Sequence, residues 1–227
     1  MEIYIVNEET DYYIFHNIML DSIDYVERTD DRVYITQHKP VITLGRDSKP
    51  ENIKSSTLEI PIYKVERGGD VTLHSPGQLM VYPIIKLDRN RLRLIDLIKW
   101  LEESAIKFLS RYGLKGYWKR GTAGVWVNGR KIASIGVAIR RWISYHGMAL
   151  NISNDLSLFN LINPCGLPPD IMTSLSKELG RPIRITNELI KSYIDDLVQT
   201  MPFESKLDIK WVDIDTIAAQ VTIKKTL

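Results

Sequence analysis

The chain has one cysteine in 227 residues, Cys165, so no disulfide can form within it, and a reducing compartment is the natural reading. A lone thiol also excludes a thiolate metal cluster. The four histidines, His16, His38, His74 and His146, show no paired spacing of the zinc-site kind, so neither a metal nor a cofactor is expected. Long apolar runs are missing: stretches such as Leu79–Ile85 fall far short of the ~20 residues that span a bilayer. Met1–Asn7 has no basic region followed by an apolar one, so no signal peptide is expected and the cytoplasm is the expected location. An excess of one charge is absent too. Thirty basic and 28 acidic side chains leave +2, which makes no electrostatic case for nucleic acid or an anionic membrane as the main partner. The clusters Arg89, Arg91, Arg93 and Arg140, Arg141 read as solvated surface. There is no internal repeat, low-complexity segment or long linker.

What is present is ordinary globular material, 44% hydrophobic and 26% charged, enough for a sizeable core. Apolar residues at spacings of three and four predict helices over Asp11–Glu27 (Phe15, Ile18, Met19, Ile23, Val26) and Arg93–Arg111 (Leu94, Leu97, Ile98, Leu101, Ala105, Phe108), with Gly113 as a stop. A third helix is predicted over Glu188–Met201 (Ile190, Tyr193, Ile194, Leu197, Met201), capped by Thr186 or Asn187. Strands are predicted at Arg32–Gln37, Val41–Leu44, Ile62–Val65, Val71–Leu73, Leu79–Ile85, Val125–Val127, Lys131–Ile139 and Ile143–Ile152. Asn128-Gly129 marks a hairpin, because both positions tolerate positive φ. This order predicts an α+β fold with mixed or antiparallel sheets flanked by helices, as a single catalytic domain over residues 1–227.

Three stretches bear chemistry. In Arg67–Gln78, Gly68-Gly69 permits close backbone approach to a ligand, with Arg67 and His74 on either side. A plain Gly-Gly turn between strands, with His74 hydrogen-bonded on the surface, is the reading that the residues alone favour. In Lys131–Val137, strand alternation puts Ile132 and Val137 on opposite faces and separates Lys131 from Ser134, which disfavours a Ser-Lys dyad unless the strand is bulged. In Asn163-Pro164-Cys165-Gly166, the flanking Pro and Gly suit an exposed loop with a defined backbone better than core packing. A reactive thiol there needs a nearby cation, because the thiolate is the nucleophile.

Taken in order, these stretches resemble the lipoyl(octanoyl) transferase family. The likeness also covers Pro40–Arg46, Gly124–Val127, His146–Asn151 and Thr173–Leu175. It implies a fold shared with lipoate and biotin protein ligases. It also implies transfer of an octanoyl group, without ATP, from an acyl carrier protein thioester to a lysine of a lipoyl domain. Acceptors of that kind are the E2 subunits of 2-oxoacid dehydrogenases and the glycine cleavage H protein. By the same resemblance Cys165 is the acyl-accepting nucleophile and Lys131 its activating partner. Arg67, Gly68, Gly69, Asp70, Val71, Thr72, Leu73, His74, Ser134, Ile135, Gly136, Gly147, Met148 and Ala149 surround the acyl substrate. The glycines among them are expected to leave room for the acyl chain, amides near Gly166 or Ser134–Gly136 to meet the oxyanion, and the arginine clusters to steer an acidic carrier. Ser75 stands where the family has glycine, and the tail from Phe203 matches nothing. An ATP-dependent lipoate ligase and a non-catalytic carrier-binding protein are the alternative readings.

Overall fold

The computed structural model describes residues 1–54 and 59–223. Its elements are β1 (Glu2–Thr10), α1 (Tyr12–Arg28), β2 (Arg32–His38), β3 (Val41–Leu44), β4 (Ile62–Lys64), β5 (Val71–His74), β6 (Gln78–Ile84) and α2 (Leu94–Ser110). There follow β7 (Tyr117–Lys119), β8 (Thr122–Val127), β9 (Arg130–Arg140), β10 (Ile143–Asn151), α3 (Leu175–Leu179), α4 (Asn187–Gln199), β11 (Asp208–Trp211) and α5 (Ile214–Ile223). Among the described residues a large sheet runs β11-β1-β2-β6-β10-β9-β8-β7, and a small one runs β4-β3-β5. β1 lies parallel to β2 and β11 and β3 parallel to β4; the other pairs are antiparallel.

Both faces of the large sheet are covered. Ile3, Ile5, Val33, Ile35, Leu79 and Val81 join a core with α2 and α4. Their alternates Tyr4, Val6, Tyr34, Met80 and Tyr82 join another with α1 and α5. β6 is therefore buried along its whole length, and its sequence shows no polar alternation. Trp100 ties α2 to α4 by donating from Nε1 to the Leu197 carbonyl at 2.7 Å. Burying such side chains contributes about 1.5–3 kcal/mol each.

The three predicted helices form where the periodicity put them. Asp11 caps α1 by accepting from the Tyr13 and Ile14 amides, and Thr186 caps α4. Asn128 and Gly129 take φ of 50° and 79° in the two-residue loop between β8 and β9. The tail without recognised likeness has a structural task. β11 adds a parallel edge strand beside β1, the amino terminus donates to Ser205 Oγ and the Lys206 carbonyl, and Ile217 of α5 is fully buried.

Pro83 sits inside β6, where the missing N–H interrupts the ladder to β10. Ser144 spans the gap: its Oγ donates to the Pro83 carbonyl at 2.7 Å and accepts from the Ile85 amide at 3.0 Å. In the same gap His146 takes φ 58°, a conformation uncommon for a side chain of that size.

Candidate active site

The placement of Lys131 rests on one extra residue. Across β8 and β9, Gly124 pairs with Ser134 and Val125 with Ala133, but Trp126 pairs with Lys131. Ile132 is the unpaired residue of a β-bulge, and a one-residue slip exchanges the faces of a strand. Two sequence expectations fall with it. Ile132 and Val137 share one core rather than facing apart, and Lys131 emerges on the side of Ser134. The bulge has a steric condition. A Cβ on Gly124, whose φ is +137°, would lie 2.2 Å from the Ala133 carbonyl oxygen and 2.9 Å from Lys131 Cε. The carbonyl of Lys131 is held by the Thr173 amide at 2.9 Å.

Cys165 lies 34 positions further on, in a tight 3-10 turn over Pro164–Gly166. It is exposed and takes φ 55°, a left-handed conformation costing about 1–2 kcal/mol for a residue with a Cβ. The turn is braced from the side. The Asn163 amide donates to the Asn52 carbonyl at 2.8 Å, and Asn52 Nδ2 donates to Asp70 Oδ2 at 2.5 Å. The Gly166 and Leu167 amides donate to Asn163 and Pro164 within the turn. The Gly166 amide is thereby engaged within the turn.

The Arg67 loop completes the third wall. Arg67 is buried; its Nη2 donates to the Thr43 carbonyl at 2.7 Å, and Nε and Nη2 both reach Thr43 Oγ1. Gln78 links His74 Nδ1, the Leu73 carbonyl and Asn151 Oδ1, and Asn151 donates to the Thr173 carbonyl.

Lys131, Cys165 and Arg67 line one cavity of about 740 Å³. Its wall also holds Gly68, Gly69, Asp70, Thr72, His74, Ser134, Ile135, Gly136, Gly147, Met148 and Ala149. Val71 and Leu73 are the exceptions. Alternation along β5 turns both into a separate core with Phe159, Ile162 and Met172. Burial lowers the Lys131 pKa, Cys165 and Glu102 oppose that shift, and Arg67 adds to it. The ammonium and the thiol thus lie within electrostatic range of each other. His74 is buried and held neutral by desolvation and the neighbouring charges.

Residues 5–196 match the model of the lipoyl protein ligase A/B catalytic domain. The chain belongs to that family. Within it, the octanoyltransferase of Nitratidesulfovibrio vulgaris is 45% identical over 155 residues, covering 66% of this chain and 71% of its own. That of Syntrophobacter fumaroxidans is 44% identical over 163 residues, 70% and 72% of the two chains. That of Parabacteroides distasonis is 42% identical over 176 residues, 73% and 80%. Among solved structures, lipoate-protein ligase A bound with ATP superposes with a TM-score of 0.69 at 14% identity, covering 99% of this chain and 95% of that one. A bi-partite lipoate protein ligase from Thermoplasma acidophilum gives 0.63 at 15%, covering 99% and 93%. Biotin protein ligase from Aquifex aeolicus in complex with biotin and ATP gives 0.52 at 11%, covering 88% and 69%. At such identities the likeness carries the fold alone, and it is the fold relationship that the sequence resemblance implied.

In this ligase-family domain two of the four glycines do different work from that expected. Gly147 leaves no room for ligand, because its Cβ would lie 2.0 Å from the Val81 carbonyl oxygen. Gly136 is where the Arg67 loop lies on the sheet, and a Cβ there would come within 2.9 Å of the Gly68 carbonyl oxygen. Gly68 and Gly69 alone of the four approach open space. Ser75 is accommodated because its φ is not positive, although its buried Oγ has no hydrogen-bond partner among the described residues. The arginine clusters are partly engaged within the chain: Arg93 with Asp96, Arg141 with Asp24 and Glu27, and Arg89 with the Val26 and Thr29 carbonyls. The sequence reading missed Asn52, Glu102, Thr43 and Tyr12. Their signal lies in what they touch, and Asn and Glu between helical or turn residues give no local sign of it.

Among the described residues no helix is long and apolar enough to cross a membrane.

Proposed function

We propose that this domain is an octanoyltransferase that carries the acyl group on Cys165 and uses Lys131 as its charged partner. The observation that carries the reading is the convergence of Lys131 and Cys165, 34 positions apart, on one cavity in a chain whose 42–45% identical relatives are octanoyltransferases. The Cys165 thiolate attacks the carbonyl carbon of the carrier-bound octanoyl thioester. The C–S bond to the carrier breaks and the departing thiolate takes a proton from the Lys131 ammonium, so the carrier leaves as a thiol and Lys131 is left neutral. Exchange of one thioester for another is close to isoenergetic, so no nucleotide is consumed. A neutral lysine amine of the lipoyl domain then attacks the acyl-enzyme, the C–S bond to Cys165 breaks, and an amide forms. Lys131, with its pKa lowered by burial, accepts the proton lost by that amine. The acyl carrier protein is the donor, and lipoyl domains of 2-oxoacid dehydrogenase E2 subunits or the glycine cleavage H protein are the acceptors.

Intact mass after incubation with an octanoyl-carrier thioester, without ATP, tests this reading in the parent chain and in Cys165→Ser. An octanoyl adduct on the parent and none on the variant is the expected result. An intact donor beside a folded, unmodified parent would sink the covalent route. Transfer that appears only when ATP is added would point to a ligase.

A further inference from the structure

Beside the same cavity, three side chains distant in sequence meet at one point. His16 lies on α1, Glu66 directly precedes Arg67, and His146 lies in the interrupted stretch of β10. Nε2 of His16 is 3.1 Å from Glu66 Oε2, and Nε2 of His146 is 3.7 Å from the same oxygen. The three donor atoms all lie within 4.8 Å of one another. Two ligands about 2.0–2.1 Å from a shared ion at a tetrahedral angle sit about 3.4 Å apart, so both distances suit a single ion.

The second observation is the state of His146. It is 1% exposed, it lines the cavity, and its Nε2 is buried with no hydrogen-bond partner among the described residues, Glu66 Oε2 lying 3.7 Å away. Buried ring nitrogens are rarely left so. Its other nitrogen, Nδ1, faces the Tyr12 hydroxyl at 3.5 Å, the place of the outer partner that orients a metal-binding imidazole. The His16 ring is stacked on that of His146, with centroids 5.3 Å apart. Two imidazoles and a carboxylate form a donor set for zinc and its neighbours rather than for magnesium or calcium.

We propose that His16, Glu66 and His146 form a binding site for one divalent ion of the zinc class. The ion clamps the bend before Arg67 against α1 and β10, and a fourth coordination position remains for water. The site involves neither Cys165 nor Lys131, and so stands independently of the proposed transfer. Sequence spacing hid it, because intervals of 50 and 80 residues match no short-range ligand pattern.

Titration of the full chain with Co²⁺, followed by visible absorption, and with Zn²⁺ by calorimetry, tests the site. The Cys165→Ser chain is the parent in these titrations, so that the exposed thiol cannot supply a ligand. One equivalent should bind, with the ligand-field bands of four- or five-coordinate cobalt. His16→Ala and Glu66→Gln, at positions that are only partly buried or exposed, should each weaken binding by at least the ~100-fold that loss of a supporting outer partner costs in metal sites. Circular dichroism of both variants should match the parent. Absence of binding to the Cys165→Ser parent, or affinity unchanged in either variant, would overturn the proposal.

Discussion

Gly124→Ala separates the placement of Lys131 from its chemistry, because both Lys131 and Cys165 stay in the chain. The new Cβ adopts a φ of +137°, which costs about 1–2 kcal/mol for an L residue. It also meets the Ala133 carbonyl oxygen at 2.2 Å and Lys131 Cε at 2.9 Å, so the β8–β9 bulge must shift. Overpacking of that kind costs about a further 1–3 kcal/mol. The expected loss of stability is therefore about 2–5 kcal/mol by urea unfolding, read at unchanged m-value. Gly180→Ala is the control. It has φ +62° at the C-cap of α3 and nothing among the described residues within 4 Å of the added methyl, so only conformational strain of about 1 kcal/mol applies. For folded Gly124→Ala, single-turnover acylation of Cys165, followed by quenched-flow mass spectrometry, should slow on the order of 100-fold, the effect of a misplacement near 1 Å. Equal destabilisation of the two variants would refute the steric account. Normal acylation by Gly124→Ala would refute the claim that the bulge delivers Lys131.

Two further outcomes follow from buried polar groups. Arg67→Lys keeps the charge but cannot reproduce the guanidinium fork to the Thr43 carbonyl and Oγ1; about 2–4 kcal/mol of stability should be lost by urea unfolding, and a loss below about 0.5 kcal/mol would show that the fork contributes little. His38 is buried between Thr10 Oγ1 and the Tyr82 hydroxyl, and desolvation takes its pKa from 6.5 to about 3, against the opposing effects of Thr10 and Asp11. Above pH 6.5 both folded and unfolded states hold it neutral. As pH falls from 6.5 towards 3 the unfolded chain binds a proton that the folded chain refuses, so stability falls by about 1.4 kcal/mol per unit, or about 2 kcal/mol by pH 5. His74 acts in the same direction. Urea midpoints that stay level between pH 7 and 5 would contradict this.

Local pattern carried the three longest helices and most strands, because a side chain's face within an element depends only on its neighbours. Phe15, Ile18, Met19, Ile23 and Val26 were legible as the buried stripe of α1 for that reason. β1 and β11 were not recognised, since neither has a turn signal marking it and their pairing joins the two ends of the chain. The alternation rule failed at Ile132, where the register of β8 against β9, a property of two strands, decides the face.

By itself the sequence determined the α+β class, the three long helices, the hairpin at Asn128-Gly129, and the pairing of one loop cysteine with one strand lysine as candidates. The tertiary structure decided that these two share a cavity, that Val71 and Leu73 turn away from it, and that Gly147 and Gly136 make room for backbone rather than for an acyl chain. It also decided that His16, Glu66 and His146 meet. The physical reason is the same in each case: periodicity along one segment records which way a residue points, but distance between segments is set by how the sheet closes and where its ladders slip.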